Sequence, residues 1–294
     1  MLLILDGILT TVAYLTSAFL LFFIGKVIYQ IFHPGIKVNF QLVEEDNFAF
    51  AISYVGYYIG LLLAIGAALI GESETDGFSL YDLIDHLIDI AIYGSLGVLL
   101  LNLSVIINDK VIFSKFNVKQ ELIDDKNVGT GIIEAANSIA TGLIIIGAIH
   151  GEGHGEGGPI VTAILYWLIG QLIMFIVSKV YNAITPYDIH EHIEKKNAAV
   201  AIGYAGALIA VANLIRFSLM HDFDSWIVTL EDVAVDTAIG LLLLPVVRFL
   251  ADKVLLPGQN LTDEIVNQEH PNHGAALIEA FAYIGGSILI TWSL

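Results

Sequence analysis

The sequence predicts an all-α integral membrane protein with eight transmembrane helices arranged as two four-helix repeats. Three observations predict it: apolar residues gathered in runs of span length, basic residues confined to alternate loops, and a second half that matches the first. The chain has 294 residues, of which 56% are hydrophobic and 14% charged. Its mean hydropathy is +0.78. Soluble domains carry about 25% charged residues, so this surface has too few polar groups to face water. Phe48–Ile70 runs 23 residues without a charge, and Ile90–Asn108 and Ile160–Ser178 run 19 each. A membrane span needs roughly 20 apolar residues.

The spans follow in order. The first, 7–32, is retained as a span, because Met1–Leu5 carries no basic residue and no small-residue cleavage pattern follows. The second covers 48–70. The third, 82–108, opens with "YDLIDHLID", whose helical spacing sets Asp82, Asp85 or His86, and Asp89 on one face. The fourth covers 129–149. An outward Gly/His/Glu-rich linker, 151–159, separates the repeats 1–150 and 160–294. The second repeat carries spans at 160–182, 198–220, 227–250 and 274–293. Pro245 is expected to kink the seventh span, and its counterpart in the third is Asn102.

Orientation follows from charge. Eleven of the 12 Lys and Arg residues fall in or beside the loops near 33–47, 109–128, 183–197 and 251–273. Lys- and Arg-rich loops stay cytoplasmic, so both termini are expected to face outward from a bacterial inner membrane. Only Arg216 lies on the outward side. An ion pair with Asp89 or Asp232 is one way to tolerate it there; an outer interface where acids reach water is the plainer reading of those residues.

The internal repeat brings out the polar residues of the spans. "NFAFAISYVG" from Asn47 stacks on "NAAVAIGYAG" from Asn197, and "NVGTGIIEAA" from Asn127 on "NHGAALIEAF" from Asn272. In the odd spans, "NDKVIF" from Asn108 pairs with "ADKVLL" from Ala251, 143 residues on, and Lys26–Val27 pairs with Lys179–Val180. Each Asn stands where a loop enters an apolar run, and Asn is among the best residues for satisfying the free N–H groups of a helix start. Asn47, Asn127, Asn197 and Asn272 are therefore expected as caps. Two turns further lie Tyr54, Glu134, Tyr204 and Glu279, about 10 Å deeper at 1.5 Å per residue. A charge at that depth is costly, so these residues should face the bundle. The even spans are rich in Gly, Ala and Ser, which let backbones approach in lipid; they are expected at the centre, with the four polar residues converging at one depth. Such a ring either glues the core or binds or relays protons or cations.

"HGEGHGEGG" offers His150, Glu152, His154 and Glu156 as weak candidates for a metal, without a rigid element to set their spacing. It reads more simply as a solvated hairpin. Cysteine is absent, which removes disulfides and thiolate metal sites. No Walker loop, GxGxxG after a strand, HExxH or GxSxG elbow appears. No cofactor and no enzymatic activity are expected, and basic residues spread over four loops give no nucleic-acid surface.

"TPYDIHEHIEKKNAAVAIGYAGALIAV" (Thr185–Val211) and "INDKVIFSKFNVKQELIDDKNVGTGIIEAANSIATGLIIIGAI" (Ile107–Ile149) resemble the bacterial inner-membrane domain of unknown function typified by the protein YjfL. The resemblance covers nearly the whole chain, twice. It is weaker at "HPGIKVNFQLVEEDN", which lacks the Tyr-Asp of the family loop, and at "NQEHPNH" before the last span. It implies a four-helix domain, and an association with envelope maintenance. Two functions are therefore expected. One is a conduit for protons, small cations or polyamines through Tyr54, Glu134, Tyr204 and Glu279, fed by an acidic outer mouth. The other is a scaffold, either alone or as an oligomer, that docks a cytosolic protein at its Lys-bearing loops.

Overall fold

The computed structural model describes residues 2–70, 79–111, 117–150, 155, 157–221, 223–254, 258 and 260–293. Its helices are α1 (Leu2–Phe32), α2 (Phe48–Leu69), α3 (Leu80–Val111), α4 (Val118–Ile123), α5 (Val128–His150), α6 (Pro159–Ile184), α7 (Ile189–Glu194), α8 (Ala198–Leu219), α9 (Trp226–Val254) and α10 (His273–Ser293). Single π-helical turns occupy Phe40–Glu44 and Asp263–Asn267. Eight helices are long and apolar enough to cross a membrane, and they coincide with the eight expected spans. Leu20, Phe23, Leu62, Leu172, Leu242 and Phe249 are among the large apolar side chains on the outside, where acyl chains are their natural solvent.

The short elements α4 and α7 and the two π-turns lie in loops that hydropathy leaves blank. Asn117 accepts from Gln120 N at 3.2 Å to start α4, and Asp188 accepts from His190 N at 2.9 Å to start α7. Those cap residues were the available signal.

The even spans α2, α5, α8 and α10 form the core as expected, but in a row rather than a ring. α2 packs on α5, α5 on α8, and α8 on α10, while α2 and α10 stand at opposite ends. The contacts are made by backbone. A side chain at Gly56 would overlap Ala135, and one at the equivalent Gly206 would overlap Ala280. Without a hydrophobic drive between helices in lipid, such close van der Waals approach is what holds them together. The row stops because its ends are bulky. Ala205 and Ala212, buried on α8, become the exposed Val55 and Leu62 on α2, 150 residues earlier. Ala136 and Gly147 of α5 become the exposed Phe281 and Trp292 of α10, 145 residues later.

The odd spans pack against this row. α3 covers α2 and α5, and α9 covers α8 and α10. The other pair differs. α1, at the end of the row, leans on α3, where Leu21 fills the space beside Gly94 and the Tyr14 hydroxyl meets His86 Nδ1 at 2.7 Å. α6 has a neighbour that α1 lacks, and it leans on α5 and on α3 of the first repeat. Trp167, the counterpart of Tyr14, donates to Ser104 Oγ at 2.8 Å, and Gly170 receives Ile144. Consequently α6 and α9 do not pack along one another. Thr237 stands on α9 where α3 has Gly94, so close approach would meet a branched side chain there. Pro245 lies inside α9, which remains one helix from Trp226 to Val254. It cannot donate to the carbonyl four residues back, at Leu241; at the equivalent place in α3, Asn102 donates its side-chain amide to Val98 O at 2.8 Å.

Candidate functional site

The connectors on the Lys-bearing side are tied into one ladder. Each Asn starts its helix as expected. Asn47 accepts from Phe50 N (3.1 Å), Asn127 from Gly129 N (3.0 Å), Asn197 from Ala199 N (3.0 Å) and Asn272 from Ala275 N (3.1 Å). The same side chains do more than cap. Asn47 Nδ2 donates to Leu122 O (2.8 Å), Asn127 Nδ2 to Ile193 O (2.7 Å) and Asn197 Nδ2 to Ile265 O (3.0 Å). Every rung therefore runs from one core helix to the connector of the next. Asn272, at the end of the row, donates to Glu264 of its own connector instead.

A second set of rungs comes from the residue before the cap. Asp46, Lys126 and Lys196 adopt φ of 44°, 49° and 61°, a region costly for side-chain-bearing residues. Lys126 Nζ reaches Glu45 Oε2 at 3.0 Å, and Lys196 Nζ reaches Asp125 O at 2.8 Å. In the fourth copy this residue is Pro271, whose ring fixes a negative φ, and its connector is longer: Asn272 N bonds back to Glu264 O, whereas Asn47 N and Asn127 N bond back to Gln41 O and Glu121 O. Outside the spans, Lys195 holds the Glu191 carboxyl below its ordinary range by a hydrogen bond, and burial lowers His33.

The second repeat holds a buried ion pair that sequence reasoning missed. Arg248 Nε lies 2.7 Å from Glu279 Oε1, with the glutamate 1% exposed and the arginine 23%. Glu279 Oε2 fits beside Gly203; a Cβ there would come within 2.6 Å of it. Tyr181, Tyr187 and Tyr283 surround the pair, Tyr187 accepting from Arg248 and Tyr181 bonding Tyr283. Burial first, then the Glu279 charge, pushes the Tyr187 phenol up to about 12. Arg248 had counted as a loop-side charge. The signal was its alignment 143 residues after Val105, an apolar position in the copy. Next to the pair lies a cavity of about 410 Å³, between α6 and α9 and floored by Tyr204, Ala207, Leu208 and Val211 of α8.

The four expected polar residues are all on the core helices, but they do not converge. Tyr54 sits in an aromatic group with Tyr29, Phe50, Tyr57 and Tyr58, its hydroxyl 2.7 Å from that of Tyr58. Glu134 is buried on α5. Tyr204 meets Ser178 Oγ at 2.5 Å and stacks on Tyr181. Glu279 is held by Arg248. Because the row is open, the first and fourth of these helices never meet, and the ring is not formed.

Arg216 is corrected as well. Its Nε goes to Asn213 Oδ1 of α8 at 3.1 Å and its Nη1 to Sδ of Met220, the residue that ends α8, and among the described residues it forms no ion pair with Asp89 or Asp232. Partners three and four residues away along the chain meet the guanidinium locally. Asp89 is exposed and lines a small cavity of about 230 Å³ with Tyr93 and His150. Of the loop candidates, Glu152, His154 and Glu156 lie outside the described residues. Among the described residues no cluster of three His, Asp or Glu forms.

An all-helical, twice-repeated polytopic membrane protein is what this architecture defines. Comparison with known families agrees in particular: the Domain of Unknown Function (DUF350) matches residues 2–149 and again 157–294, so the chain belongs to that family as a tandem copy. A UPF0719 transmembrane protein of Aquifex aeolicus (strain VF5) is 20% identical over 277 residues, covering 94% of this chain and 97% of the relative. No solved structure matches.

Proposed function

We propose that this protein is a non-conducting scaffold of the bacterial inner membrane, with both termini outward, that presents its Lys-bearing face to a cytosolic protein. The observation that carries this reading is the ladder. Three Asn rungs and two Lys rungs bind four separate connectors into one continuous surface. A transporter has no evident need of such bracing, because alternating access moves one helical unit against another. Exposed Glu44, Glu45, Lys119, Asp124, Glu191, Glu194 and Lys195 give that surface mixed charge, suited to a folded polar partner. Close packing of the core helices and the Arg248–Glu279 pair also favour it. A relay through Glu279 would break a buried pair, at about 3–5 kcal/mol. No catalytic role is proposed. The resemblance to the YjfL type of domain supports a place in membrane maintenance.

Two experiments test the reading. Photo-cross-linkers placed at Lys119 and Glu194 in living cells should capture one discrete cytosolic protein, and the same groups in the 223–225 segment should not. Purified protein in liposomes should pass protons, potassium and spermidine no faster than empty vesicles. Flux that disappears in Glu134→Gln/Glu279→Gln would overturn the scaffold and restore the conduit.

A further inference from the structure

We propose that the cleft between α6 and α9 is a binding site for one membrane phospholipid, its phosphate at Arg248 and an acyl chain along the floor of α8. The cleft is graded in polarity. Arg248, Thr185, Tyr181, Thr262 and Asn260 line the end nearest the connectors, and Leu208, Val211 and Leu241 line the deeper end. That is the profile of an amphiphile entering head last. Its volume of about 410 Å³ falls in the range of small-molecule sites, roughly 300–1,000 Å³. The opening faces lipid, since two wall residues, Val180 and Phe249, are 37% and 59% exposed on the outside of the bundle.

Arg248 suits the headgroup. Glu279 occupies the Nε edge of the guanidinium and fixes its plane, Tyr187 accepts a further hydrogen bond from it, and the contact of Nη2 to Thr262 Oγ1 is long, 3.4 Å. A guanidinium fork matches phosphate oxygens, and basic pockets between membrane helices hold phospholipid headgroups. A phosphate oxygen would replace the long Thr262 contact with a charge-assisted one, the stronger kind of hydrogen bond. The first repeat is the internal control. At the positions of Arg248, Ala207, Leu208 and Tyr181 it has Val105, Tyr57, Tyr58 and Ile28, so the arginine anchor is missing and rings fill the α2 floor; the cavity of that repeat, about 740 Å³, lies instead against the connector, lined by Gln30, Lys37 and Glu44. Tyr57 spends its hydroxyl on Gly25 O at 2.8 Å, which locks that filling in place.

Native mass spectrometry of the whole protein in mild detergent, with added phosphatidylglycerol, tests this. The expected result is one phospholipid retained per chain. Ala207→Phe, which fills the floor, and Arg248→Leu/Glu279→Leu, which removes the anchor without stranding a charge, should each weaken retention at least about tenfold, the ratio for 1.4 kcal/mol. Leu208→Phe serves as a second floor-filling variant should Ala207→Phe not fold. Inorganic phosphate in place of the lipid should neither bind nor displace it. The proposal is overturned by a wild type that retains no phospholipid, by undiminished retention in the floor-filling variant, or by phosphate binding alone with the same Arg248 dependence.

Discussion

α1 and α6 are copies of one helix, yet they lean in opposite directions. α1 is pinned to its own repeat through Tyr14 and Leu21, and the cavity beside it lies against the connector, with Tyr54 as its one lining residue from α2. α6 is pinned to the other repeat through Trp167 and Gly170, and a cleft remains above α8. The difference comes from position in the row as much as from sequence. A helix at the end of a row has a neighbour on one side only, whereas α6 can drop between α5 and α8. Duplication thus gives two environments to one ancestral pattern, and substitutions at a few positions complete them: Gly94 against Thr237, Tyr57 against Ala207, Val105 against Arg248.

The largest effect should separate the two buried acids. Arg248→Leu or Glu279→Gln strands the partner of a buried pair and should cost about 3–5 kcal/mol, seen as a fall in melting temperature in detergent. Arg248→Leu/Glu279→Leu together should recover most of the loss. Glu134→Gln, at the position whose copy of Arg248 is Val105, should cost less than either single change. Equal losses at Glu134 and Glu279 would break the contrast.

Where the repeats are alike, matched changes should cost alike. Gly56→Ala and Gly206→Ala each force a methyl group into backbone and should lose about 1–3 kcal/mol, with the two values close together by the same melting measurement. Caps come next. Asn127→Ala removes a cap and a rung, so it should fall at the upper end of the roughly 0.5–2 kcal/mol expected for a cap. Asn272→Ala, which reaches no following connector, should fall at the lower end.

The smallest effect is the alkaline pH dependence contributed by Tyr187 of the second repeat. The folded pKa of Tyr187 lies above its unfolded value, so its contribution is complete below pH 10 and is lost as pH rises towards about 12. Tyr187→Phe should lessen the slope of that part of the melting-temperature profile. The matching position in the first repeat is Pro34, which cannot titrate.

The spans, the duplication and the four caps were legible because each rests on local physics: run length, self-similarity, and the free N–H groups of a helix start. Burial of Glu134 and Glu279 was legible for the same reason, a charge in hydrocarbon being expensive. Their partners were not. Arg248 sits six residues before the end of α9, where hydropathy alone cannot tell a snorkelling cation from a buried one, and the tyrosines around it come from α6, α10 and a connector. The ring failed because sequence stacking shows which positions are equivalent but not whether the row they form closes. The lean of α6 depends on a contact between repeats that no single-repeat pattern contains.

Natural cysteine is absent, so the contrast between α1 and α6 can be measured by oxidative cross-linking in native membranes. Leu21→Cys/Gly94→Cys joins α1 to α3, and the equivalent Met174→Cys/Thr237→Cys would join α6 to α9. The account predicts rapid disulfide formation in the first pair and little in the second. Equal cross-linking of both pairs would mean that α6 packs on α9 as α1 packs on α3, and the cleft would be contradicted.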